Sequence, residues 1–255
     1  MRTGYRPPQS RVVRRERSNA MKKMFVAVMI VSMVATYSMA AEKKPLKDID
    51  SQALTTDTQV TPKGTGDQHT AMAWWIPIEF WESLFSRDAT TSAFDKKAML
   101  DALSGVSLLA VVQADMTAVG GFEFYSKEEI EQSMTISYSD ADGQQRRLSL
   151  LQTIDPDLAV ILGVFKPVLG AAMGNLGNNM HFYVLSDRSK STPRLLDPYR
   201  NGQINIRLAR RDKVLMDASI QLPLDALFVP RKCPNGKNAH ISWRYCPWTG
   251  KQLEE

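Results

Sequence analysis

The feature that most constrains this chain lies between Met21 and Ala41. Lys22 and Lys23 precede an apolar run of 12 residues, Met24 to Ala35, and Ser38 and Ala40 close it with small side chains. A basic start, a short apolar middle and an A-x-A-like end make a secretory signal peptide. A bilayer-spanning helix needs about 20 apolar residues, so the run predicts a cleaved leader, with an uncleaved inner-membrane anchor as the alternative. Cleavage is expected between Ala40 and Ala41, and because Ala41 is not Cys the lipid-modified form of the signal does not apply. Residues 1–20 carry six arginines, and Met21, directly before the Lys pair, is read as the true start. Arg14-Arg15 is followed by Glu16, Arg17 and Ser18, where a twin-arginine signal wants apolar residues. The expected location is therefore the periplasm, an oxidising compartment, and that sets how the only two cysteines, Cys233 and Cys246, are read.

The leader also changes the electrostatics. The whole chain carries a formal charge of +5, yet residues 1–40 hold 8 of its 32 basic and 1 of its 27 acidic groups. Residues 41–255 are left with 24 basic and 26 acidic groups, a net −2. A nucleic-acid binder carries a basic patch on the folded domain itself, so no nucleic-acid partner is expected. Charge is nonetheless uneven, with 11 basic and 19 acidic residues in 41–186 against 13 basic and 5 acidic in 187–251. Internal complementarity between the two stretches is the favoured reading, and a cationic face meeting anionic lipid or glycan is the other.

The stretch 41–70 is polar, sparse in apolar residues and without period, which predicts a flexible linker. From Ala71, the segment AMAWWIPIEFWESLF places Trp74, Ile78, Trp81 and Phe85 at helical spacings, so one helix starting near Ile76 is expected, with Pro77 in its first turn. Ser92 with Asp95 caps a second helix that Gly105 ends. Residues 106–114, VSLLAVVQA, read as a strand buried on both faces. Gly120-Gly121 precedes the aromatic run Phe122 to Tyr125, and Ser126 with Glu129 forms a capping box. Met134, Ile136 and Tyr138 alternate in a strand that Asp142-Gly143 turns back into RRLSLLQT. Asp155-Pro156 opens the longest apolar helix, reaching Met173; beyond Asp157 its only charge is Lys166, beside Pro167, and it is apolar on every side, which favours a core helix, with a membrane or partner-docking helix as the alternative. Strands follow at 181–185, 203–208 and 214–222, with Arg211-Asp212 at the last turn. Helices and antiparallel hairpins without a βαβ rhythm make an α+β fold in a single domain, 71–230, with antiparallel hairpins packed on helices.

No catalytic constellation emerges. His181 begins an apolar strand and is the candidate base of a hydrolase, but no GxSxG elbow partners it. The glycine and asparagine cluster 170–179 follows a helix and matches no phosphate-binding loop, so it reads as a helix end. Trp74, Trp75, Trp81 and Phe85 are the candidate interaction surface; Glu79 and Glu82 replace the basic residues that an interfacial helix carries, which favours burial.

In the segment CPNGKNAHISWRYCPWTG, Cys233-Pro234-Asn235 and Cys246-Pro247-Trp248 match the start of each knuckle of a zinc ribbon, with Gly236 and Thr249 where the second cysteines would stand. The segment resembles a degenerate zinc ribbon. A structural zinc wants four ligands, so no metal or other cofactor is expected, even with His240 as a third donor. The resemblance implies that the two remaining cysteines lie around one point, and export then implies a Cys233–Cys246 disulfide stapling a C-terminal appendage, 231–255. The run from AWWIPIEFWE through DPDL and GAAMGN to FVPRKCPNGK and YCPWTGKQL resembles a family of uncharacterised exported bacterial proteins, which implies a bacterial envelope context and no activity. The expectation is a non-enzymatic binding or envelope-interaction protein, its partner another envelope protein or a membrane surface. The alternatives are a periplasmic hydrolase using His181 and a membrane-associated assembly factor.

Overall fold

The longest strand organises the chain. In the computed structural model, which describes Met1 and residues 41–62, 68–188 and 194–253, the apolar run after Gly105 forms strand β3, Val106–Met116, buried from Ser107 to Ala114. The leader, the start at Met21, the Arg14-Arg15 pair and Ala40 of the cleavage site lie outside the described residues. A strand buried on both faces must have both edges hydrogen-bonded as well, because unpaired backbone groups cannot be left dry. One edge of β3 pairs antiparallel with β2, His69–Ile76; the other pairs with β7, His181–Ser186, and further along with β4, Phe122–Phe124. β1, Gln59–Val60, extends the sheet beyond β2.

The second sheet has the order β6 (Gln145–Arg147), β5 (Met134–Asp140), β8 (Gly202–Arg210), β9 (Lys213–Leu222). Met134, Ile136 and Tyr138 are buried as the alternation predicts, and Asp140 to Gln144 turn tightly into β6. In β9 side chains alternate between the faces from Met216 to Leu222, and the alternation breaks just before Met216. Leu208 faces Met216 and Ala209 faces Val214, so Leu215 is the extra residue of a bulge. Leu215 and Met216 are consequently both buried while Val214 is exposed.

The helices are α1 (Ser51–Thr58), α2 (Ile78–Arg87), α3 (Ala93–Leu103), α4 (Lys127–Ser133), α5 (Pro156–Met173) and the short α6 (Asn175–Asn178). Three of their N-caps follow from sequence: the side chain of Ser92 accepts from Asp95 N–H, Ser126 and Glu129 form a reciprocal capping box, and Asp155 accepts from Asp157 N–H. One apolar core spans both sheets and the helices, giving an α+β fold.

Two expectations are corrected. Of the stretch expected to be a flexible linker, residues 41–62 fold, because Ile49 and Leu54 are fully buried and Asp50 caps α1 through Gln52 and Ala53 N–H. They are also tied down at a distance, with Lys44 N–H donating to Leu227 O and Ala226 N–H to Asp57 Oδ2. The aromatic segment is not one helix. It is strand β2 up to Ile76 and helix α2 from Ile78, with Pro77 as the junction. A spacing of 4, 3 and 4 across that junction imitates a single helical stripe.

An ion pair fixes the start of α2 to the far end of β7. Arg194 holds buried Glu79 with two hydrogen bonds, of 2.6 and 2.7 Å, and its Nε lies 3.8 Å from Asp187. Asp187, also buried, accepts from Ser107 Oγ and from Leu195 and Leu196 N–H, and Ser107 Oγ in turn accepts from Trp75 Nε1. Burial pushes the Asp187 carboxyl up, against these bonds and the Arg194 charge. Removing Arg194 would strand Glu79 without its counter-ion, and breaking a buried pair from one side costs about 3–5 kcal/mol. Arg194→Ala is therefore expected to lower the urea midpoint sharply, read by circular dichroism; an unchanged midpoint would show that the pair contributes nothing.

Candidate functional site

His181 sits at the start of β7 in a groove of about 340 Å³ between that strand, α4 and α5. Among the described residues the groove is lined by Lys127, Glu131, Gln152, Lys166 and Tyr183 with apolar neighbours, and by neither serine nor aspartate. Partial burial and then the Lys166 charge push the His181 imidazole below its usual range, outweighing a hydrogen bond to the Tyr125 backbone. Tyr183 donates to Lys127 O. Its phenol is pushed well above the ordinary value by burial and by Glu131 and Glu128. A Ser–His–Asp set is not assembled around His181.

The histidine that does meet a carboxylate is His69. It lies directly across the sheet from Asp115, with Nδ1 2.7 Å from Asp115 Oδ1. Tyr125 donates to the other carboxylate oxygen at 2.6 Å, and Arg210 Nη1 donates to the Tyr125 hydroxyl at 3.2 Å. Burial works to raise the Asp115 carboxyl, but the bonds from Tyr125 and His69 hold it below its usual range. His69 Nε2 is buried without a hydrogen-bond partner among the described residues. Sequence reading missed this cluster because its members sit 46 and 10 positions from Asp115 and only the sheet register unites them.

The aromatic candidates are placed in the core. Trp74, Trp75 and Trp81 are buried and Phe85 packs against them half-buried, so the four form no exposed patch. Trp74 donates to Thr58 Oγ1, and Trp81 stacks edge-on against Phe165 of α5 at 4.6 Å. Their size explains this: large rings on both sides of the Pro77 junction are what seat α2 and α5 on the sheet.

Cys233 and Cys246 are buried free thiols in hydrogen-bond contact, each opening a turn, the second one residue longer than the first. In one, Gly236 N–H donates to Cys233 O; in the other, Gly250 N–H donates to Cys246 O, and both glycines have positive φ. Ala239 and Leu253 complete a small core with the two cysteines. His240 turns its ring nitrogens toward Ser242 and Asp225. Among the described residues no group of three or more His, Cys, Asp and Glu gathers as metal ligands. Burial acts to raise the Cys246 thiol, but bonds from Cys233, from the Thr249 side chain and from the Trp248 and Thr249 N–H groups outweigh it and bring it down to about 7. Burial and the neighbouring Cys246 push Cys233 up to about 11.

Helix α5 departs most from expectation. Leu158, Leu162, Leu169 and Gly170 are buried, but only those four of its 18 residues are, so it is a surface helix rather than one enclosed by the core. The opposite face is apolar too: Val160, Val164 and Val168 are 67, 68 and 55% exposed, in line with exposed Ala159, Gly163, Pro167 and Ala171. Among the described residues it is the one helix long and apolar enough to cross a bilayer by length and composition. Its glycines differ in kind. A Cβ on Gly170 would lie 2.1 Å from Asn178, and one on Gly177 2.1 Å from Leu169 O, so those two glycines let α6 pack closely on α5. A Cβ on Gly163 would meet nothing within 4 Å.

No family model, curated protein or solved structure matches this chain. The site therefore has to be read from its own geometry.

Two results follow from that geometry. Glycine inside a helix costs about 0.5–1 kcal/mol relative to alanine, so Gly163→Ala is expected to raise the thermal midpoint and Gly177→Ala to lower it; a loss at both would mean that Gly163 is needed within the fold. In the reduced protein, thiolate absorbance at 240 nm should rise for one cysteine as pH passes about 7. A single step near pH 9 would contradict the hydrogen bonding to Cys246.

Proposed function

We propose that the chain is an exported periplasmic protein that acts by binding, as an envelope-interaction protein, and that the outer face of α5 docks an apolar helix of a partner protein. The observation that carries this reading is the uncovered Val160–Val164–Val168 ridge beside the small residues Ala159, Gly163 and Ala171. Small residues at four-residue spacing let a second helix backbone approach closely, and the β-branched ridge beside them gives it a rigid surface to pack on. Gly163 supports this specifically, since nothing within the fold requires it to lack a side chain. Bulky aromatic and leucine side chains, which an interfacial helix inserts into lipid, are missing from the exposed face among the described residues.

The contact between Cys233 and Cys246 supports a second element of the same reading. In the oxidising periplasm the Cys246 thiolate would attack the disulfide of an oxidised dithiol donor, releasing one donor sulfur as thiolate, and Cys233 would then attack Cys246 in the mixed disulfide and release the reduced donor; the resulting bridge would staple a module whose own core is four residues. Intact mass of the exported protein should be two hydrogens below that of its reduced form; two free thiols in periplasmic material would remove the staple.

A photo-crosslinking residue at Val164, in the protein expressed with its leader, tests the docking face. It is expected to give a discrete adduct in the envelope fraction that the same residue at exposed Val214 does not give. Gly163→Leu should abolish the adduct with the fold intact, because a Cβ at Gly163, which is exposed, meets nothing within 4 Å. Equal labelling at both positions, or an adduct indifferent to Gly163→Leu, would rule the surface out.

A further inference from the structure

We infer that the C-terminal knuckle module, residues 231–253, is a docking surface for anionic lipid headgroups at a membrane interface. Residues 231–253 carry five Lys and Arg residues and no Asp or Glu, and with Glu254 and Glu255 the whole appendage 231–255 keeps a net charge of +3. Lys232, Lys237, Arg244 and Lys251 are exposed. Elsewhere in the same basic stretch Arg194 pairs with Glu79, Arg200 with Asp197 and Arg207 with Asp217, whereas Arg188, Arg210, Arg211 and Lys213 have no carboxylate within ion-pair distance among the described residues. None of the four exposed cations of the module has a carboxylate within ion-pair distance among the described residues. Internal pairing thus offsets only part of the basic stretch, and the knuckle gathers four exposed cations that it leaves open.

The same surface carries aromatic rings. Trp243, Tyr245 and Trp248 are 37, 60 and 50% exposed. Lys237 lies 4.8 Å above the Trp248 ring, and Trp248 meets Trp243 at 5.9 Å, so cation and indoles are contiguous across the two turns. The small core of the module is filled by Cys233, Ala239, Cys246 and Leu253 without them. Amphipathic rings beside unpaired Lys and Arg are the composition of a membrane interface, where the ring sits at headgroup depth and each cation near an anionic surface adds about fivefold in affinity. Nucleic acid fits less well. The two indoles meet at 69° and Lys237 covers one face of Trp248, leaving no pair of parallel faces for a base to stack between.

Tryptophan placement gives a direct test on the full chain. Of the five tryptophans, Trp74, Trp75 and Trp81 are buried and residues 1–40 contain none, so contact quenching by lipid reports on Trp243 and Trp248 even if the leader binds the bilayer. With vesicles of brominated phosphatidylglycerol in phosphatidylcholine, emission should be quenched, and Trp243→Phe/Trp248→Phe should remove the quenching. Lys237→Gln/Arg244→Gln should weaken the apparent affinity about 30-fold. Brominated phosphatidylcholine alone should quench little. Equal quenching on both vesicles, no quenching on either, an unchanged affinity in the charge variant, or tighter association with a DNA duplex than with the anionic vesicles would overturn the inference. Gly163→Leu should leave the quenching as it is, which separates this surface from the α5 face.

Discussion

Strand β3 is the constraint on which the rest of the molecule depends. Eight consecutive buried residues can be tolerated only if every backbone group finds a partner, and β3 achieves this with β2 along one edge and β7 and β4 along the other. These pairings join segments far apart in the chain. They bring His69 opposite Asp115, set Ser107 beneath Trp75, and carry Asp187 to the place where Arg194 and Glu79 close the edge of the sheet. The groove at His181 and the seat of α5 are consequences of where β7 lies.

Much of this was legible locally. The caps at Ser92, Ser126 and Asp155 are short-range chemistry, since a side chain meets a backbone N–H two or three residues away, and the apolar composition of 106–114 speaks for itself. The failures were long-range. Residues 46–60 carry too few apolar side chains to predict order, and they fold because Ile49 and Leu54 are buried completely, because Ala226 N–H holds the Asp57 carboxylate, and because Leu227 and Val229 bond the backbone of Lys44 and Glu42 just before them. Trp74 and Trp81 share a core but belong to different elements, and a helical period cannot reveal the break that Pro77 makes between them. The bulge at Leu215 is likewise invisible in an alternating sequence, because it is set by pairing with β8.

The all-round apolar composition of α5 favours a core helix over a membrane or partner-docking one, and composition alone does not say which faces are covered. A helix apolar all round has two apolar faces, and only one of them meets this core. The fold satisfies the inner face with Leu158, Leu162, Phe165 and Leu169, and it leaves a valine ridge to water. That exposed ridge is the surface on which the proposed partner helix would dock. The aromatic residues first considered for that role are spent on the core. The knuckle module gives the chain a second surface of opposite character, cationic and aromatic, and export is the circumstance under which both surfaces would meet envelope components.

Cysteine-scanning accessibility along α5 tests the central claim most directly. With Cys233 and Cys246 replaced by Ser, single cysteines at Val160, Val164 and Val168 are predicted to react with a maleimide at the rate of an exposed thiol. Those at Leu158, Leu162 and Leu169 are predicted to react only as fast as the protein unfolds. Uniform protection of all six positions in the monomeric protein would show that the helix is enclosed, and the docking face would not exist.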